Sequence, residues 1–68
     1  MSESVKLIVD SYVSLKDRMA LEEMRRHRQR LKGDLRQKVG GYFDVGGSLR
    51  LLDEDLRVIE EGFARLQA

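Results

Sequence analysis

The chain has 68 residues, no Cys, no Pro and a net charge of +1, with 37% of its positions charged. This length makes one domain at most (residues 1–68), with a core small enough that a partner or a second copy would help. The lack of Cys excludes disulfides and thiolate metal sites, and the near-zero net charge leaves no global field to gather polyanions.

The longest aliphatic run, Leu7-Ile8-Val9, is far short of the ~20 apolar residues of a membrane span. The opening MSESVKLIVD lacks the basic start and long apolar stretch of a secretory signal. A cytoplasmic location with no membrane association is expected.

In the first segment, Val5, Ile8, Tyr12, Leu15 and Met19 alternate by three and four, forming a helical seam. The seam does not continue in phase, because Glu22 and Arg26 follow seven residues after Leu15 and Met19. Either a break lies near Ser14, where SLKD resembles a capping box with Asp17 in place of Glu, or one long helix changes its buried side; the break is preferred. The spacing predicts a helix over about 4–13, although the β-branched content of VKLIVDSYV would also suit a strand.

A second helix is predicted over about 15–39. Leu21, Met24, Leu31, Leu35 and Val39 line one side, with Arg28 at the missing step. Gly33 interrupts it at a cost of ~1 kcal/mol relative to Ala, which suggests close packing or flexibility there.

The connection GGYFDVGG, residues 40–47, carries a Gly pair at each end. Gly40 or Gly41 can take the left-handed conformation that ends a helix. Tyr42 and Phe43 are expected to cap the open end of the core beside Leu35, Val39 and Leu52, in preference to forming a recognition tip.

A third helix is predicted over about 48–67, with Ser48 as its N-cap. Leu49, Leu52, Leu56, Ile59, Phe63 and Leu66 form its apolar stripe, widened by Leu51 and Val58. Helices two and three then make an antiparallel hairpin in which facing residue numbers sum to about 87. That register puts Leu35 near Leu52, Leu31 near Leu56, Met24 near Phe63, and Arg28 near Ile59 and Glu60. With the N-terminal helix added, the expected fold is an all-α small helical bundle.

Charge is unevenly spread. Residues 25–38, RRHRQRLKGDLRQK, hold seven Lys or Arg and one Asp, and are flanked by acidic segments on both sides. One reading is phosphate contact by Arg25, Arg26, Arg30, Lys32, Arg36 and Lys38 in a nucleic-acid-associated regulator. No aromatic residue lies within the stretch to stack a base, and no DNA-binding signature is present. The other reading pairs the basic helix with the acidic third helix, so that charge selects partner and orientation while the apolar seam supplies stability.

Catalysis and metal binding find little support. His27 is the only histidine, and no Cys nucleophile, triad or phosphate loop is present, so no enzyme activity or cofactor is expected. The carboxylates Asp53, Glu54, Asp55, Glu60 and Glu61 could hold a hard cation only weakly, and Asp53, Glu60 and Glu61 are spaced as an ordinary polar helix face. The preferred expectation is a small non-enzymatic interaction protein: an adaptor, regulatory subunit or oligomerisation module. The surplus apolar seam of residues 5–19 points to a homodimer, and the basic stretch leaves an acidic protein partner as a further option.

Overall fold

The computed structural model of the protein describes residues 2–37 and 46–67. It has three helices: α1 (Ser2–Leu15), α2 (Arg18–Gln37) and α3 (Gly46–Gln67). No strand is present among the described residues, so the first segment is helical throughout. Lys38, Val39, Gly40, Gly41, Tyr42 and Phe43, with the expectations attached to them, lie outside the described residues.

The break between α1 and α2 falls later than predicted and is only two residues long. Lys16 takes φ 56°, in the left-handed region. Its N–H donates to the Val13 carbonyl at 3.0 Å, and the Asp17 N–H donates to the Tyr12 carbonyl at 2.8 Å. This is a Schellman ending, with Lys where Gly is usual. The next helix starts at once: the Ala20 N–H donates to Asp17 Oδ1 at 3.1 Å. Asp17 is therefore the N-cap of α2. Ser14, predicted to cap, belongs to the last turn of α1. The second helix accordingly begins at Arg18, not near residue 15.

At the other end, α3 begins at Gly46, which places Ser48 inside the helix and corrects its assignment as N-cap. The pairing of α2 with α3 also differs from the predicted register. Arg25 bonds Glu60, Arg28 bonds Asp55 and Lys32 bonds Asp53, so α2 and α3 run antiparallel. Arg28 thus meets α3 about one turn nearer its N-terminus than predicted. The Arg25 and Lys32 pairs shift by only about two residues, and Leu31, predicted to lie near Leu56, is exposed.

The core consists of Val5, Val9, Leu21, Leu52, Ile59 and Phe63. Tyr12, Val13, Met24, Val58 and Leu66 pack around it. Helix α3 is the centre of the arrangement, since both other helices pack chiefly on it. Arg65 donates to Asp10, and Lys6 borders Glu54, Val58 and Glu61, so α1 runs parallel to α3.

Gly62 is where the three helices meet. A Cβ at this position would lie 2.5 Å from Val9 Cγ1 and 3.3 Å from Leu21 Cδ2. The missing side chain therefore lets Val9 seat against the α3 backbone. By contrast, a Cβ on Gly33 would meet nothing within 4 Å, so close packing is not the reason for that glycine.

This docking corrects the predicted seam of the first helix. The inward stripe is Val5, Val9, Tyr12 and Val13, and Val9 is fully buried. Ile8, Leu15 and Met19 are exposed instead, at 42%, 75% and 70%. The seam had joined residues from two faces, and the Schellman turn prevents it from running on to Met19. On α3 the predicted stripe is observed, but Leu51 is exposed and does not widen it.

Candidate interaction surfaces

The basic stretch is divided by the helix into two sides with different partners. On the side facing α3, Arg25 Nη1 donates to both carboxylate oxygens of Glu60, at 3.0 and 3.1 Å. Its guanidinium lies 4.2 Å from the Phe63 ring centroid, within cation–π range. Arg18 approaches the same ring at 5.3 Å while pairing with Glu22 in its own helix.

Arg28, at the gap in the α2 seam, donates from Nε to Asp55 Oδ2 at 3.2 Å, and both side chains are partly buried. It also lies 2.7 Å from His27 Nδ1. A guanidinium can only donate, so in this contact Nδ1 accepts. Lys32 pairs with Asp53 at 2.5 Å. Two of the six candidate phosphate contacts, Arg25 and Lys32, are therefore bonded to acidic residues of α3.

Arg26, Arg30 and Arg36 face outward. They are exposed and, among the described residues, form no ion pair. Lys38 lies outside the described residues. Also among the described residues, no group of three or more acidic or His side chains is placed to hold a metal ion. No helix there is long and apolar enough to cross a membrane.

A second surface was not anticipated from the sequence. Ser4, Leu7, Ile8, Ser11, Ser14 and Leu15 are all exposed on α1. At ~100° per residue they share an arc of about 120° that contains no charged side chain. Their spacing is itself a helical seam, hidden because the inward valines form a second one. On the flank of this face, a shallow groove between α1 and α2 is lined by Ile8, Tyr12, Ala20, Glu23, Met24 and His27. The α1 face offers apolar contact without ionic partners, and the α2 edge beside it offers Glu23, His27 and the Asp55-paired Arg28.

No protein-family model matches the chain, and comparison with curated proteins and with solved structures likewise gives no match.

Proposed function

We propose that the chain is a small, non-enzymatic, cytoplasmic interaction module that engages a protein partner through α1 and the adjoining edge of α2. One observation carries this reading: the exposed face of α1 has three large apolar residues and no charge, in a chain that is 37% charged. A soluble helix normally gives its outer face to charged and polar residues, and contiguous exposed apolar surface marks contact sites. The outward Arg26 and Arg30 lie further round α2 and would suit a partner with acidic residues that reaches beyond this contact.

The test is affinity capture from native extract, with and without nuclease, using the chain and a Leu7→Glu/Leu15→Glu variant. Protein retained after nuclease by the parent and lost by the variant supports the reading. Both leucines are largely exposed, so the variant should keep its fold.

A second reading rests on the outward Arg26, Arg30 and Arg36, which are available to phosphates in a nucleic-acid-associated regulator. Binding to generic duplex would then weaken with a log–log salt slope of about −0.9 per phosphate contact. It would be lost in Arg26→Glu/Arg30→Glu. Capture that disappears with nuclease would favour this reading over the first.

A further inference from the structure

We infer that a groove at the end of the bundle where α1 turns into α2 binds the C-terminal end of a protein partner. The partner's α-carboxylate sits among Lys16, Arg18 and Arg65, and its last apolar side chain rests on Val13 and Leu66. This site goes beyond the contact proposed above and shares no residue with the outer face of α1.

The groove has a volume of about 460 Å³ and is lined by Val13, Lys16, Arg18, Arg65 and Leu66. Its charged lining residues are all cations, brought together from the α1–α2 turn, the start of α2 and the last turn of α3. Two of them are held by carboxylates that do not line the groove. Arg18 Nε donates to Glu22 Oε1 at 3.2 Å, and Arg65 Nη2 donates to Asp10 Oδ1 at 2.8 Å. A guanidinium has five N–H groups, so each pair orients its arginine and leaves donors for a further acceptor. Lys16 forms no ion pair among the described residues.

Strain at Lys16 is a second and independent observation. Its φ of 56° is a conformation that glycine adopts freely and a residue with a Cβ does not. The turn does not need the side chain, since both of its hydrogen bonds are made by backbone atoms. The negative end of α1 favours a cation there, but by less than the left-handed conformation disfavours one. Strain of this kind marks positions where the side chain has a task, and here the strained residue carries the groove's free ammonium group.

The surroundings select the ligand. Asp10 and Glu22 bond two of the cations, and Asp17, between Lys16 and Arg18 in sequence, caps the Ala20 amide. There is no excess charge for a polyanion, so the groove suits a single carboxylate. The last turns of α1 and α3 also border it, and the final carbonyls of a helix have no partner within it, so they accept from an N–H donor. A peptide C-terminus supplies the carboxylate, the amide N–H and an apolar side chain together, a recurring mode of recognition. A phosphate chain lacks the donor and the apolar part, and a fatty acid lacks the donor.

NMR titration of the isotope-labelled intact chain tests this. The probe is an acetylated hexapeptide, Gly-Ser-Gly-Ser-Ala-Leu, with a free C-terminus. It should move the amide signals of Val13, Lys16, Arg18, Arg65 and Leu66 and saturate with a Kd of about 0.1–1 mM. The same peptide with an amidated C-terminus should bind about tenfold more weakly. Lys16→Gly should weaken binding of the free acid by about fivefold while raising the thermal midpoint, which separates lost binding from lost fold. Leu7→Glu, on the outer face of α1, should bind the peptide as the parent does, so this site and the capture experiment fail independently. No saturable shift up to ~5 mM peptide, equal affinity for acid and amide, or unchanged affinity in Lys16→Gly overturns the site. Octanoate binding as tightly as the peptide overturns a peptide end as its occupant.

Discussion

Val9 occupies the space that a side chain on Gly62 would need: its Cγ1 lies 2.5 Å from where that Cβ would be. This contact sets how closely α1 approaches α3, and it gives Gly62 a role opposite to that of Gly33. Gly62→Ala should gain the ~1 kcal/mol of helix propensity but lose more through overpacking, which typically costs about 1–3 kcal/mol. Net destabilisation in urea unfolding is expected, partly relieved by adding Val9→Ala, which removes the colliding methyl groups. A more stable Gly62→Ala protein would contradict the geometry.

Gly33→Ala should shift stability the other way. The site is helical, exposed and open on all sides, so the full propensity gain of ~1 kcal/mol should appear as a higher denaturation midpoint. The two alanine variants together test the packing from both signs.

The α1–α2 turn gives a third expectation. Lys16 holds a left-handed conformation that disfavours any residue with a Cβ by roughly 1–2 kcal/mol. Lys16→Gly removes that strain but adds freedom to the unfolded chain, leaving a net gain of ~0.5–1 kcal/mol. Asp17→Ala should lose ~1 kcal/mol with the cap, and Asp17→Asn should lose little. Thermal melts of the three variants would show this order.

A fourth expectation separates the ion pairs by burial. Asp55→Ala leaves the partly buried Arg28 guanidinium without its carboxylate and should cost about 1 kcal/mol, discounted from the buried value because both groups keep some exposure. Glu60→Ala leaves an Arg25 that still lies over Phe63 with water at hand, and should cost under ~0.5 kcal/mol. Adding 1 M salt should narrow the difference by screening whatever part of both pairs faces solvent.

What could be read from the sequence depended on whether a helix carried one apolar stripe or two. Leu52, Ile59 and Phe63 on α3, and Leu21 on α2, were identifiable from periodicity because the opposite faces of those helices are charged. On α1 the spacing was ambiguous: Val5 and Tyr12 belong to the inward face, while Ile8 and Leu15 belong to the outward one. All fit a single alternation by three and four. Only the fit of Val9 against Gly62 decides between them, and a glycine in EEGFARL gives no sign of which residue will fill its space. The outward residues Arg26, Arg30 and Arg36 were singled out correctly as basic and helical. Which of their neighbours pair with α3 depended on the register of the two helices, which differs from the predicted one. The exposed α1 face was visible in principle, as a seam without charge, but was hidden by the valine stripe beside it.

The central position of α3 has a consequence for how the protein is made. A ribosome releases α1 and α2 first, and Val9, Leu21 and their neighbours then lack the α3 surface on which both helices chiefly pack. Collapse must wait until Ile59, Gly62 and Phe63 have left the exit tunnel, so α1 and α2 emerge with their inward valine and leucine side chains uncovered by α3.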